Sequence, residues 1–187
     1  MPFEQWGPLA GLIGTWEGHL GIDVSFHNVK GKIAETPFYE KTTFKPFGPV
    51  ENGPQVLYGL DYRTAAFRLD EEVPFHSEVG YWMWDESNHQ VMRCFTVPRG
   101  FTVLAGATVE PTATKFKLAA EVGSTSYGIL SNKYLDEVAR STRFDVVVII
   151  DGDSFSYDET TVVEHQRTNG IVLHTDRNTL KRISWEA

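Results

Sequence analysis

The last strand-like segment of the sequence carries an unusual set of polar side chains. His174, Asp176 and Asn178 alternate along it and share one face of an extended chain, whereas Arg177 lies on the other face. Polar groups inside a fold need partners, so an inward-facing set predicts a hydrogen-bonded network or a ligand site. A neutral imidazole in an apolar cavity is also a good axial ligand for haem iron, which makes His174 a candidate metal ligand. A solvated strand face with a water-exposed histidine is the alternative.

A second group of polar and aromatic residues lies at residues 75–84. His76 and Glu78 are two residues apart and share one strand face with Trp82. A histidine and a carboxylate at this spacing can lie side by side and hydrogen-bond to other groups, and Trp82 can form the wall of a flat cavity. Core packing on both faces of the strand is the alternative. Gly80 in the middle of the segment predicts a bend or a bulge.

A helix-to-strand junction near the start of the chain completes the set of candidates. Gly14 ends a predicted helix, and Trp16 begins the first strand and is expected to point into the base of the fold. The candidate cofactor-binding residues are therefore His174, His76 and Trp82, and the candidate ligand pocket comprises Thr15, Trp16, Asp176, Arg177 and Asn178.

The elements that must position these residues are mostly strands. Segments of strand-like pattern are separated by short connections rich in Gly, Pro, Asn and Asp, as antiparallel hairpins require. About ten strands are predicted, at residues 16–22, 36–44, 55–64, 75–84, 90–97, 101–109, 114–122, 143–150, 154–164 and 171–183, with short helices at residues 4–13 and 133–140, the second capped by Ser131 or Asn132.

Ten sequential antiparallel strands leave exposed edges unless the sheet closes into a barrel. A barrel of this size is wider than its own side chains fill, so an internal cavity is expected. The sequence therefore predicts an all-β, ten-stranded, up-and-down barrel that holds a small, mostly apolar molecule.

Composition narrows the classes of function further. The 187 residues suit one domain, and the formal net charge of −8 argues against nucleic-acid and membrane partners because phosphate groups repel an acidic chain. The single cysteine, Cys94, excludes an internal disulfide and a Cys-rich zinc site. The start of the sequence does not look like a signal peptide, so a cytoplasmic protein is expected. The remaining histidines are expected on the surface: His19, His27, His89 and His165.

Three stretches of the sequence together resemble a known family. Residues 8–18 read Pro-Leu-Ala-Gly-Leu-Ile-Gly-Thr-Trp-Glu-Gly, residues 76–81 follow the pattern His-x-Glu-x-Gly-aromatic, and His174 precedes a strand that ends in basic residues. All three are similar to segments of the nitrobindins, small barrels also described as haem-binding-like or fatty-acid-binding-protein-like lipocalins. The resemblance runs from about Leu9 to Arg182.

The resemblance implies a ten-stranded barrel with ferric haem b in one open end and chemistry with nitric oxide or peroxynitrite. His174 would then be the iron ligand, His76 would lie beside the haem or on its distal side, and Trp82 would form a cavity wall. Peroxynitrite isomerase activity would follow only with haem bound.

A second interpretation needs no iron. The barrel would then carry or sense a fatty-acid-like amphipathic molecule, whose head group Arg177, His174, Asp176 or Arg143 would fix while aromatic rings enclose its tail. A barrel filled by its own aromatic side chains is the third alternative. The expected partner is a small hydrophobic or amphipathic ligand, and a homodimer is one option for the assembly.

Overall fold

The protein is described by a computed structural model that covers residues 3–186, and its strands form a closed barrel. A 3₁₀ helix (Glu4–Leu12) precedes the first strand, and the helix α1 (Lys133–Val138) precedes β9. The strands are β1 (Gly14–His27), β2 (Lys32–Asn52), β3 (Gln55–Arg68), β4 (His76–Asp85), β5 (Gln90–Val97), β6 (Phe101–Thr108), β7 (Lys115–Val122), β8 (Gly128–Ser131), β9 (Ala139–Asp151), β10 (Ser154–His165) and β11 (Gly170–Ser184).

From β1 to β6 and from β9 to β11, neighbouring strands are consecutive in sequence and antiparallel, and β11 pairs with β1 to close the barrel. The predicted all-β barrel is therefore confirmed, with eleven strands in place of ten. The additional strand, β8, lies between β6 and β7 and pairs with β7 in parallel. Its four residues are too short to show an alternating pattern, which is why the sequence indicated only a loop there.

The first two strands are much longer than the sequence predicted. They pair from Gly14 with Phe44 to His27 with Lys32, and an irregular register between Gly18 and Gly21 shifts the alternation within β1. Pro46, expected to end β2, lies within it and is paired with Leu60. Prolines and exposed polar residues hid these strand ends from a pattern based on alternating burial.

Both predicted helices are present. The first is a kinked 3₁₀ helix that covers one end of the barrel, where Leu9 and Leu12 are fully buried. Its last carbonyl, that of Leu12, accepts a hydrogen bond from Trp16 Nε1 at 2.7 Å, which ties the cover to β1. The second is capped by Asn132, whose Oδ1 accepts from the backbone N–H of Leu135 at 3.0 Å. Within residues 3–186, neither helix has the length and apolarity needed to cross a bilayer.

The interior is layered along the barrel axis. Fully buried aromatic and aliphatic side chains, including Trp16, Phe44 and Leu60, fill the covered end, which is here called the base. The middle layer is polar, and the end opposite the cover is here called the mouth. Burial of each large apolar side chain at the base contributes roughly 1.5–3 kcal/mol to stability.

Gly80 marks the tightest approach between two strands in the barrel wall. A Cβ at this position would lie 1.9 Å from the carbonyl oxygen of Cys94. The pairing of β4 with β5 continues through Gly80 opposite Phe95 without a shift in register. Of the predicted bend or bulge, the bulge is therefore absent, and the glycine is needed for the close approach of β5.

Candidate functional site

A buried arginine lies at the centre of the polar layer. Arg93 on β5 donates from Nη2 to Glu78 Oε2 at 2.7 Å and from Nη1 to Glu159 Oε2 at 2.8 Å. Its guanidinium also lies 4.4 Å from the ring centroid of Phe95. Charge-assisted bonds of this length between buried groups are strong, and they join β4, β5 and β10 across the barrel.

Glu78 is the most heavily bonded partner of that arginine. Besides Arg93, it accepts from the hydroxyl of Tyr62 at 2.8 Å, and its Oε1 lies 3.1 Å from His76 Nε2. Burial alone would raise the pKa of Glu78, but the Arg93 charge and the bonds from His76 and Tyr62 outweigh it and lower the pKa. Glu78 is therefore a fixed negative charge.

Glu40 forms a second buried network without any cation. Its Oε1 accepts from the hydroxyls of Thr42 at 2.9 Å and Thr64 at 2.6 Å. Its Oε2 accepts from Tyr157 at 2.7 Å and from Asn178 Nδ2 at 3.1 Å. Because four donors occupy this carboxylate, Glu40 and Asn178 hold the barrel wall together and have little capacity left for a ligand.

Three residues meet at the mouth of the barrel. His174 Nε2 lies 3.0 Å from Asp23 Oδ2 and 3.1 Å from Asp176 Oδ2, and the two aspartates are paired across β1 and β11. Burial would lower the pKa of His174, but its bonds to Asp176 and Asp23 raise the pKa to about 10. The imidazole is therefore protonated at neutral pH in the absence of another cation.

Glu159 lies between the mouth and the arginine. Its register partner on β11 is Asp176, and only its Oε2 is bonded, to Arg93. Burial raises the pKa of Glu159 to about 7 despite the nearby charge of Arg93, and the charges of Glu78 and Asp176 act in the same direction as burial. This carboxyl group therefore lacks enough positive charge around it.

The charges of the interior do not balance. Among the described residues of the polar layer and the mouth, five carboxylates face one guanidinium and two imidazoles, so this part of the interior stays negative even with both imidazoles protonated. The carboxylates are those of Asp23, Glu40, Glu78, Glu159 and Asp176, and the cationic groups are Arg93, His76 and His174. Such an interior attracts a cation.

A cavity of about 40 Å³ lies between the apolar base and the mouth. It has room for roughly one to three water molecules. Two buried donors on residues that line it, Trp82 Nε1 and Arg93 Nε, find no acceptor within residues 3–186. Ordered water is expected to satisfy them, since buried polar atoms without partners are rare.

The residues predicted from the sequence fall into two groups. His76, Trp82 and Asp176 line the cavity, while His174 lies at the mouth. Asn178 is bonded to Glu40 beside the cavity, and Trp16 is buried in the base against Phe155, with ring centroids 5.0 Å apart.

Two predicted pocket residues lie outside. Arg177 is exposed on the outer face of β11, because its neighbours 176 and 178 point inward. Thr15 is half-buried and donates from its hydroxyl to the carbonyl of Glu186 at 2.9 Å. Arg143, a candidate for holding a head group, is also exposed and pairs with Asp145 and Glu121. None of these three residues lines the cavity.

The four remaining histidines differ in their exposure to solvent. His19 and His89 are exposed, as expected, whereas His27 is half-buried with its Nε2 3.1 Å from the Thr36 hydroxyl. His165 is buried, with its ring 4.3 Å from that of Phe26, so its expected surface position is wrong. Its Nδ1 accepts from the backbone N–H of Arg167 and thereby caps a short 3₁₀ turn.

The sequence analysis missed the central charged residues. Arg93 lies between the inward residues Val91 and Phe95, and Glu40 lies between Phe38 and Thr42. The available signal for Arg93 and for Glu40 was the same: each is a charged residue whose neighbours at i−2 and i+2 lie on a buried face. Asp23 gave no such signal, because the irregular register after Gly18 changes which residues of β1 point inward.

A family model described as THAP4-like, heme-binding beta-barrel domain matches residues 5–182. The chain belongs to this family. Its membership confirms the family resemblance drawn from the sequence and supports the binding of a ligand inside the barrel.

A solved structure adds to the comparison of folds. The crystal structure of Rv2717c from M. tuberculosis matches with a TM-score of 0.65 and 21% sequence identity, over 93% of this chain and 94% of that one. At this identity, the likeness of the THAP4-like barrel to that protein concerns the fold alone. No curated protein matches the chain in sequence.

The family description raises the question of whether these residues fit a haem. The atom that would bind the iron, His174 Nε2, lies 3.0 Å and 3.1 Å from carboxylate oxygens of Asp23 and Asp176. Those oxygens of Asp23 and Asp176 lie where a macrocycle around the iron would have to lie.

The size and polarity of the interior also disfavour a haem. Pockets that enclose drug-sized ligands have volumes of roughly 300 Å³ or more, far above the about 40 Å³ found here. The centre of the barrel beneath the mouth holds the charged side chains of Glu78, Arg93 and Glu159, which are unfavourable neighbours for an apolar macrocycle. The side chains, as arranged, do not fit a haem.

Proposed function

We propose that this THAP4-like barrel binds a small organic cation at its mouth, without iron. The observation that carries the proposal is a pair of carboxylate oxygens, Oε1 of Glu159 and Oδ1 of Asp176. Neither accepts a hydrogen bond from any residue within 3–186, although the Glu159 side chain is only 14% exposed. A positively charged ligand with N–H donors would satisfy both oxygens and neutralise part of the negative interior.

The charge of the head group follows from what surrounds it. A fatty-acid carboxylate would have to compete for Arg93, whose two terminal nitrogens already donate to Glu78 and Glu159. It would also approach Asp176 with the same sign of charge. A primary ammonium or guanidinium group meets the opposite situation, so the charges favour a cationic head group over an anionic one.

Two aromatic rings support the same choice. Phe38 and Phe75 line the cavity on the side of the mouth, with ring centroids 5.9 Å apart. Ring faces attract cations, by about 0.5–2 kcal/mol depending on exposure. The small cavity admits only a compact head group, so the apolar part of an amphipathic ligand would lie across the mouth against these rings.

Haem b is the second candidate, favoured by the family description and by the inward position of His174. Binding would require Asp23 and Asp176 to move away from Nε2. The nitric oxide or peroxynitrite chemistry implied by the resemblance depends on such iron. It is therefore tested together with haem binding.

The cation proposal is tested with four probes that share a four-carbon chain: butylammonium, butylguanidinium, 1-butanol and butyrate. Ligand-observed NMR and calorimetry should show binding of the two cations only. Glu159→Gln should weaken that binding at least 10-fold, whereas Asp158→Asn, a matched change at the exposed neighbour on β10, should leave it unchanged. Equal binding of butanol and butylammonium, or no effect of Glu159→Gln, would contradict the proposal.

The haem alternative is tested by adding hemin to the purified protein and to His174→Ala. The cation proposal expects no shift of the Soret band that depends on His174. A shift in the wild type that disappears in His174→Ala would establish haem as the ligand and overturn the iron-free proposal.

A further inference from the structure

We propose that Asp23, His174 and Asp176 form a binding site for a single divalent first-row transition-metal ion, without a macrocycle. The three residues lie at the mouth of the barrel, and each offers one ligand atom. These atoms all lie within 4.8 Å of one another. Two carboxylate oxygens and one imidazole nitrogen form a donor set typical of zinc and related ions.

The separations between the donors suit a metal ion better than they suit a haem. Metal–oxygen and metal–nitrogen bonds of about 2.0–2.2 Å place neighbouring ligands about 3.0–3.4 Å apart in tetrahedral or octahedral geometry. The distances from His174 Nε2 to Asp23 Oδ2 and Asp176 Oδ2 are 3.0 and 3.1 Å. The two carboxylates that obstruct a macrocycle therefore become ligands of a bare ion.

The barrel holds these donors in place before any ion binds. Asp23 and Asp176 are register partners on β1 and β11, and His174 shares the inward face of β11 with Asp176. Asp23 is buried, and its second oxygen, Oδ1, accepts from the Ser25 hydroxyl at 2.8 Å. A bond of this kind to the non-ligating atom orients a metal ligand.

The charge of the three donors and their exposure at the mouth also suit a divalent ion. Two carboxylates and a neutral imidazole neutralise a divalent ion, and the surrounding interior is already negative. The His174 side chain is 36% exposed and that of Asp176 is 23% exposed, so an ion can enter from the mouth. Three protein ligands leave coordination positions open for water or another small ligand.

The site differs from the proposed cation site in its residues. The metal site requires Asp23 and His174, whereas the organic cation requires Glu159 Oε1 and shares only Asp176. Glu159→Gln should therefore abolish most of the binding of butylammonium while the metal still binds, and Asp23→Asn should do the opposite. Failure of one proposal is thus distinguishable from failure of the other.

The test uses the whole 187-residue chain, freed of metal with a chelator and titrated with Co²⁺. We expect one Co²⁺ per chain, visible d–d absorption bands, and displacement by Zn²⁺. Asp23→Asn, Asp176→Asn and His174→Gln should each weaken binding at least 10-fold. His89→Gln and Glu35→Gln are the matched controls, since His89 is exposed between β4 and β5 and Glu35 is exposed on β2, and both should bind as the wild type does.

A measurement on the unaltered protein covers the case in which a variant fails to fold. Paramagnetic Co²⁺ should shift and broaden the imidazole NMR signals of His174 while those of exposed His89 stay in place. The proposal is overturned if Co²⁺ does not bind stoichiometrically, if His174 is unaffected when it does, or if the control variants lose binding as much as the ligand variants.

Discussion

Replacing Arg93 by methionine should be among the most damaging single changes in the barrel. Methionine keeps much of the length of the side chain but removes the charge and both terminal donors. Glu78 and Glu159 would then be buried without the cation they share. In the wild type, their oxygens accept from its two terminal nitrogens at 2.7 and 2.8 Å. The cost arises from the carboxylates left behind, because an unpaired buried charge is far less stable than the same charge in water.

The structure sets the size of the effect. Hydrogen bonds to charged groups contribute about 1.5–3 kcal/mol each, so two bonds give about 3–6 kcal/mol. Removing one partner of a buried ion pair typically costs about 3–5 kcal/mol. Arg93→Met should therefore lower the free energy of unfolding by about 3–5 kcal/mol at pH 7, with a smaller loss at pH 5, where the two carboxyl groups take up protons more easily.

Urea unfolding, followed by tryptophan fluorescence at pH 7 and pH 5, measures this loss. Arg143→Met is the matched control, because Arg143 lies 2.5 Å from Asp145 and 2.6 Å from Glu121 but is exposed. Exposed pairs contribute about 0–1 kcal/mol, so the control should lose little. A loss below about 1 kcal/mol in Arg93→Met, or equal losses at both pH values, would refute the reasoning.

Three further changes test other parts of the structure. Gly80→Ala should destabilise the barrel by about 3 kcal/mol in urea unfolding, because its Cβ would meet the Cys94 carbonyl, whereas Gly170→Ala, in open surroundings, should change stability little. The pKa of His174 is raised to about 10 in the folded state, so with chelator present its contribution to stability should be complete below about pH 6.5 and be lost as pH rises towards 10. In His174→Gln, the free energy of unfolding should not show this dependence on pH. Glu159 also has a raised pKa, about 7, but ionises unfavourably in the folded state, so it should reduce stability as pH rises from about 4.5 to 7, and Glu159→Gln should remove that decline.

Most of the fold could be predicted because alternation and turn residues act locally. The hairpins from β3 to β6 appear in the sequence as alternating segments bounded by Gly, Pro, Asn and Asp, and closure into a barrel follows from the need to avoid exposed edges. What could not be predicted depends on distant contacts. The strand β8 exists because it fits between β6 and β7, and the long ends of β1 and β2 exist because each supplies the other's hydrogen bonds.

The candidate site was predicted in part, and the reason lies in register. The alternation along β11 correctly placed Asp176 and Asn178 on one face, and the inward direction of that face came only from the closed barrel. Arg177 was assigned to the pocket although it cannot share a strand face with its neighbours. Asp23 could not have been found by alternation, since the irregular register of β1 has to be known before its direction is known.

Family membership establishes the barrel, whereas the residues of the polar layer determine which ligand it can bind. The barrel is set by the positions of turns and of apolar inward residues, and these are satisfied by many interiors. The ligand is set by a few inward positions in the middle and at the mouth, where this chain has Glu78, Arg93, Glu159 and Asp176. Three of these four side chains are carboxylates, which supports the proposed organic cation over an apolar macrocycle. The chemistry of this barrel is therefore decided by alternate residues of a few strands.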